Sequence, residues 1–322
     1  MSIATRALPG TDLRISEIGF GCGGNAGLML RGTEAEQIHT VARALELGIT
    51  YFDTAPDYGA GEAERALGRA LRALGGPAPI ITTKVEIRAE NLDDIAGHVV
   101  RSAESSLRRL GLDRIDILQI HNGPTPTPPP MADGDYHHLW TRHFLGPNGA
   151  AEGLRRLIAS GTIAHAGFVS RGNDRDACDE LLQTGQFRLI NLSYNLLDPQ
   201  GAQTLALAAR HECGTAVFSP LAGGLLAGPG PRHSLARPGD APRRRHAGRQ
   251  ALAEALQAEL RAYGDPVALA WRFALAPEQV TTVIGGFSSV EQVESVAALS
   301  GQGPLPAPLL AALQRRRDAT TD

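Results

Sequence analysis

Short β-prone runs alternate with longer amphipathic stretches along almost the whole of this 322-residue chain. Runs rich in Ile, Val, Phe and Thr lie near 17–21, 49–53, 79–84, 115–120, 162–168, 188–192, 214–219 and 280–284, and each predicts a strand. Apolar residues at three- and four-residue spacing near 34–47, 61–74, 92–109, 150–160, 174–183, 202–212, 266–276 and 289–299 predict the helices that follow them. Ahead of the first pair, Thr5 to Ile15 reads as a hairpin turning at Leu8-Pro9-Gly10-Thr11. Eight alternations with no Pro/Gly-rich linker between halves predict one closed (β/α)₈ TIM barrel, a single domain over residues 1–322 with an N-terminal β-hairpin and long βα loops. An open doubly wound sheet is the rival, but no GxGxxG opens the first helix.

Glycine and proline interrupt the alternation in three places: Gly123 to Asn148, Gly223 to Gly248, and the tail from Gly301. Long loops within compact domains are usually functional or disordered. The first carries Tyr136, His137, His138, Trp140, His143 and Phe144, too aromatic for a plain linker, and reads as a wall of a substrate pocket. His137 and His138 would face opposite ways on a strand, and no metal is expected there.

Charge and composition narrow the class. An apolar fraction of 43%, a charged fraction of 20% and a net charge of -3 describe an ordinary soluble globule with no basic excess to neutralise phosphates, so no nucleic-acid partner is expected. Arg243-Arg244-Arg245 and Arg315-Arg316-Arg317 read as solvated surface. Cys22, Cys178 and Cys213 are few, odd in number and far apart, which suggests neither a disulfide framework nor a zinc site and fits a reducing cytoplasm. Met1 to Asp12 holds no apolar signal core, and no run reaches the ~18 apolar residues of a membrane span.

One count changes the picture. Of 31 basic residues a single one, Lys84, is lysine. Arginine cannot release its proton, whereas a lysine amine is compact and titratable. Lys84 ends the run Pro79-Ile80-Ile81-Thr82-Thr83, and His121 ends Ile115-Asp116-Ile117-Leu118-Gln119-Ile120. In Thr50-Tyr51-Phe52-Asp53-Thr54-Ala55-Pro56-Asp57-Tyr58-Gly59 a third strand empties into a loop, leaving Asp53 and Tyr58 at its mouth. Four titratable groups thus sit at the ends of three successive predicted strands. Taken singly, each has an ordinary alternative: a turn-capping acid, a packed ring, a surface charge, a satisfied histidine.

The runs FDTAPDYG, ITTK, DILQIHN, GTIAHAGFVS, LINLSYNLLD, FSPLAGGLL and ALAWRFALAPEQVTTVIGG resemble, in that order, those of the aldo-keto reductases. The resemblance implies a nicotinamide-dependent oxidoreductase, using NADP(H) or NAD(H), that interconverts a carbonyl and an alcohol on a small polar, sugar-like or decorated metabolite. It makes Tyr58 the general acid, Lys84 and Asp53 its tuning pair and His121 a donor that orients the substrate. A lysine cation beside a tyrosine eases its ionisation, which fits that assignment. For the cofactor it implies Gly21, Asp53, Ser170, Asn191, Phe218, Ser219, Leu221, Gly223, Ile284, Gly286 and Gln292, and for the substrate pocket Cys22, Asn122 and Trp140.

The chain departs from the family at several of these positions. Arg171 stands where asparagine is usual, with Asn173 a substitute, while Asn191 replaces glutamine and Phe218 replaces a tyrosine. Gly286 and Phe287 occupy the place of a cation for the adenosine 2′-phosphate, and Val296 that of an asparagine for the adenine. Ser288 with Glu291 reads as a capping box opening the last barrel helix. Arg232, Arg237 and Arg243 to Arg245 are the arginines that could fold over a phosphate instead. These departures keep open a redox-neutral alternative, a lyase or isomerase moving protons on the same site with weak or no nicotinamide binding. A non-catalytic binding subunit on the same fold is a third reading.

Overall fold

The computed structural model describes residues 3–23, 26–129, 137–227 and 244–321, with side chains described for all of these except 244–248 and 316–321. The strands are β1 (Thr5–Ala7), β2 (Arg14–Ser16), β3 (Ile18–Gly21), β4 (Tyr51–Asp53), β5 (Ile80–Val85), β6 (Ile115–Ile120), β7 (Gly123–Thr125), β8 (His138–Trp140), β9 (Ile163–Ser170), β10 (Phe187–Ser193), β11 (Gly214–Phe218) and β12 (Thr282–Gly286). Strands β3, β4, β5, β6, β9, β10, β11 and β12 pair in parallel in that order, and β12 returns to β3 to close the barrel. The eightfold (β/α) alternation expected from the pattern is therefore present, and the fold is a TIM barrel.

Period-two alternation sorts each strand's side chains between two cores. Tyr51, Ile117, Leu189, Ala216 and Ile284 form one cluster with Leu8 and Ile15 of the hairpin, while Phe20, Phe52, Ile81, Leu118 and Phe168 join the larger cluster with the helices. The hairpin β1–β2 pairs Thr5 with Ser16 and turns at Gly10, which takes φ 68, so Leu8 and Ile15 cap the inner cluster. Arg6 ties that end together, donating to Glu17 and to the carbonyls of Leu275 and Val280.

The helices are α1 (Leu28–Arg31), α2 (Glu34–Glu46), α3 (Glu62–Leu74), α4 (Ile95–Leu110), α5 (Thr141–Leu145), α6 (Ala150–Ala159), α7 (Arg175–Leu182), α8 (Gly201–Arg210), α9 (Arg244–Leu260), α10 (Pro266–Leu275), α11 (Val290–Ala297) and α12 (Ala307–Thr321). Thr33 and Glu36 form a capping box at α2, and Asp265 caps α10 ahead of Pro266. Among the described residues no helix is long and apolar enough to cross a membrane.

Four expectations about the connections are corrected. The first long loop contains the small sheet β7–β8 and the helix α5. Helix α9 begins at Arg244, inside the segment read as a loop to Gly248. The tail from Gly301 is mostly the helix α12, whose Leu309 and Leu313 are buried. At α11 the cap residue is Ser289, without a side-chain cap bond, and the Ser288 amide donates to Gln292, so the box of Ser288 with Glu291 does not form. Tyr136, Arg232, Arg237 and Arg243, together with the side chains of Arg244 and Arg245, lie outside the described residues.

Candidate active site

Registry places three of the four singled-out groups side by side. Asp53 pairs with Thr82 across β4 and β5, Lys84 follows on β5, and His121 follows the last residue of β6. All lie at the carboxyl ends of adjacent strands, where barrel enzymes carry their reacting groups. Tyr58 comes from the loop after β4, whose turn is fixed by its amide donating to Ala55.

The lysine is the centre of this arrangement. Lys84 Nζ donates to Asp53 Oδ1 at 2.6 Å and to the Thr54 carbonyl at 2.8 Å, and it lies 3.5 Å from the Tyr58 hydroxyl. It is 2% exposed. Burial opposes its charge, but the Asp53 carboxylate and the Tyr58 oxygen outweigh that opposition and hold its pKa above the ordinary lysine value. Breaking such a buried pair by removing one partner costs about 3–5 kcal/mol.

Burial also decides the state of the tyrosine. Lys84 pulls the phenol down, yet burial and the carboxylates of Asp53 and Asp57 push it up to about 12. Tyr58 is therefore a protonated donor at neutral pH, and the easing of ionisation expected from Lys84 only limits the rise. His121 is shifted downward by burial, with Asp57 opposing, so its imidazole is neutral at pH 7. Its Nδ1 lies 3.2 Å from Asp57 Oδ1, and its ring meets that of Tyr58 edge to face with centroids 6.0 Å apart.

The residues implied for the cofactor fall into two groups. Asn191 Nδ2 donates to Asp53 Oδ2 at 3.2 Å, while its Oδ1 is buried with no partner among the described residues. Ser170 donates to Asn173 Oδ1 at 3.1 Å, and Asn173 in turn donates to the Ser193 carbonyl, which joins the ends of β9 and β10. Phe218 is half-buried at the end of β11, and the turn after it runs through Ser219, Leu221 and the exposed Gly223. Ser219, Ala222, Gly223 and Gly224 all take positive φ there, and a Cβ on either glycine would meet nothing within 4 Å. That open turn admits close approach to its backbone.

The second group is buried or otherwise engaged apart from Gly286, and Phe287 and Val296 were read only as departures at the adenosine end. Ile284 belongs to the inner core, and Val296 and Phe287 are buried, Phe287 against Phe20 at 5.3 Å between ring centroids. None of the three offers a surface to an adenosine, whereas Gly286 is exposed. Gly21 packs its backbone on Gly285, where a Cβ would come within 2.9 Å of the Gly285 carbonyl, and Gln292 is engaged with the Ser288 amide.

Of the substrate-pocket expectations, two are likewise corrected. Cys22 has no exposed surface, and Asn122 is spent on both backbone groups of Ile87, so each is part of the wall's interior. Trp140 is half-exposed; its indole donates to the Pro126 carbonyl at 3.1 Å, and its ring meets His143. Phe144 is fully buried against Phe168 and supplies core packing rather than pocket wall.

Two residues of this site carry roles that the motifs did not suggest. Asp57 is the carboxylate facing His121. Arg171, noted only as a departure, donates from Nε to the His121 carbonyl at 2.8 Å and fixes the backbone at that position. The signal for Asp57 was an acid directly before the tyrosine; such a residue reads equally as a turn former.

The Aldo/keto reductase family profile matches residues 17–314, and the chain belongs to this family of oxidoreductases. It is 30% identical over 309 residues to L-galactose dehydrogenase of Arabidopsis thaliana, covering 92% of this chain and 88% of that one. It is 28% identical over 255 residues to D-threo-aldose 1-dehydrogenase of a Pseudomonas species, covering 70% and 72%. Among solved structures, an aldo-keto reductase from Bacillus halodurans in its holo form superposes with a TM-score of 0.74 at 27% identity, over 97% of this chain and 96% of that one.

Proposed function

We propose that this chain is a nicotinamide-dependent oxidoreductase that interconverts a carbonyl and an alcohol on a small polyhydroxylated metabolite. The observation carrying the reading is Lys84 Nζ set between Asp53 Oδ1 at 2.6 Å and the Tyr58 hydroxyl at 3.5 Å, at the strand ends beside His121. Reducing a carbonyl leaves an alkoxide, which needs a proton at once. Tyr58 holds that proton over an oxygen seated between it and His121, and Lys84 steadies the phenolate left behind. Asp53 keeps the ammonium in place.

A bound nicotinamide supplies or takes the hydride. Its carboxamide fits the partnerless Asn191 Oδ1 and the Ser170–Asn173 pair; its ring has Phe218 to stack on, and its phosphates have the open turn at Gly223. At the adenosine end Gly286 has no side chain, and Glu291 adds a negative charge in the first turn of α11. NADH therefore binds at least as well as NADPH. That two relatives are named for the dehydrogenation of sugars supports a sugar-like substrate.

Fluorescence titration of the purified protein with NADH and NADPH, followed by turnover of Tyr58→Phe, tests the reading. The expected result is binding of both nucleotides, with kcat in the variant down by about 10²-fold or more and nucleotide affinity unchanged. If neither nucleotide binds at millimolar concentration the redox reading falls, and proton-transfer chemistry on the same side chains takes its place.

A further inference from the structure

Positions 65, 69 and 72 of α3 are spaced four and three apart, and positions 105, 108 and 109 of α4 three and one, so each set lies along one face of its helix. All are arginines except Ser105. The two faces enclose one groove of about 550 Å³, lined by Arg65, Arg69, Arg72, Ser105, Arg108 and Arg109. The helices come this close because α3 carries Gly68, where a Cβ would stand 2.2 Å from the Leu110 carbonyl.

Carboxylates answer only part of this charge. Glu62 lies 3.7 Å from both Arg65 and Arg69, Glu34 lies 3.6 Å from Arg69, and buried Glu64 accepts from Arg109 Nε. Arg72 and Arg108 pair with no carboxylate among the described residues. Each is held by one edge instead: Arg72 Nη1 donates to the Leu110 carbonyl at 3.1 Å, and Arg108 Nη2 to Ser105 Oγ at 2.8 Å. Arg109 is fixed by Ser106 and by Glu64, which also accepts from Thr83 of β5. Arg69 Nε is shielded from solvent and has no hydrogen-bond acceptor among the described residues. Like charges three and four residues apart on a helix repel, and a shielded donor without an acceptor is costly. An anion between the two rows relieves both.

We propose that this groove binds a short chain of phosphates, either inorganic polyphosphate or the phosphate tail of a nucleotide. A guanidinium presents paired donors that match two oxygens of one phosphate. Two rows of such forks facing each other need oxygens directed to both sides. A single carboxylate lacks them, and a run of phosphates has them. Forks already anchored by one edge lose little further freedom on binding, which favours affinity. The whole chain carries a net charge of -3, so the excess is local to this groove. The site lies between α3 and α4, away from the strand ends that hold Lys84, and it does not depend on the redox reading.

Calorimetric titration with tripolyphosphate at low salt tests this, with a saturating nicotinamide nucleotide present so that the open turn at Gly223 is filled. The expected result is one tripolyphosphate per chain, with affinity falling as sodium chloride is raised. Affinity should drop about tenfold or more when Arg72→Gln and Arg108→Gln are combined. Arg72→Lys with Arg108→Lys keeps the charge and loses the fork, and should fall between that variant and wild type. Both side chains are exposed, so the melting temperature without ligand should stay near wild type in each variant.

ATP in place of tripolyphosphate separates the two sources. Tighter binding of ATP makes a nucleotide tail the ligand, and equal or weaker binding makes it the free phosphate chain. No binding of tripolyphosphate at millimolar concentration, or equal affinity in wild type and the glutamine variant, overturns the proposal. If no nicotinamide nucleotide binds, the redox reading falls, and the comparison of wild type with the glutamine variant still decides the groove.

Discussion

Lys84 cannot be exchanged for arginine without losing the geometry that makes it useful. A guanidinium keeps the charge, but its planar fork does not reproduce a compact ammonium 2.6 Å from Asp53 and 3.5 Å from Tyr58. Lys84→Arg is expected to lose most of kcat while nucleotide affinity, read by fluorescence, stays near wild type. Asp57 gives a pH test of a different kind. Its folded pKa of about 2 lies below the ordinary aspartate value of 3.8, so the ionised carboxyl adds stability above about pH 4, on the order of 2 kcal/mol, and the contribution is lost as pH falls through 2. The stability difference between wild type and Asp57→Asn, from denaturant melts, should therefore be largest near neutrality and shrink toward pH 2. Asp53, Lys84 and His121 were legible because each is a polar residue ending an apolar run, and Tyr58 because it stands in the loop that follows Asp53. Asp57 was not, since its partner is distant in sequence and its position suits a turn. Cys22, Asn122 and Ile284 were placed in the site because sequence order puts a residue near a strand end without saying which way its side chain is enclosed.

Among the elements, the insertion between β6 and α6 separates packing from recognition most cleanly. Leu139 and Phe144 are fully buried, while Trp140 between them is half-exposed and hydrogen-bonded to its own loop. Phe144→Ala should cost about 3–5 kcal/mol in thermal or chemical unfolding. Trp140→Ala should leave the melting temperature within a few degrees and change the relative kcat/KM of different substrates, since an exposed loop side chain contributes little burial. Equal stability losses in the two variants would make the whole insertion structural. The barrel strands and their helices could be read from periodicity because each has a face to bury. Three-residue strands such as β7 and β8 have no period to detect and exist because they pair with each other. Helix α12 follows a Gly/Pro-rich stretch, and the apolar positions Leu309 and Leu313 that dock it were hidden by a polar, arginine-rich remainder.

Closure of the barrel is a property of the whole molecule, and it depends on backbone contact between β12 and β3. Gly285 lies opposite Phe20, and a Cβ there would come within 2.7 Å of both the Phe287 and the Trp271 rings. Gly285→Ala should lower stability by about 1–3 kcal/mol through this overpacking, measurable as a drop in melting temperature. It should also disturb the exposed Gly286 next to it, so nucleotide affinity should fall in the same variant.

The one lysine has a last consequence, for proteolysis. An endoprotease that cuts only after lysine has a single internal target in the whole chain, and that target is a barrel strand, 2% exposed. Fraying of termini or loops yields it nothing to cleave; the bond opens to it only when β5 leaves its neighbours β4 and β6. Digestion should give two fragments with no earlier products, and where reclosing outpaces cleavage its rate follows the equilibrium population of the opened barrel. A nicotinamide nucleotide added at a hundred times its dissociation constant should then slow cleavage by about a hundredfold.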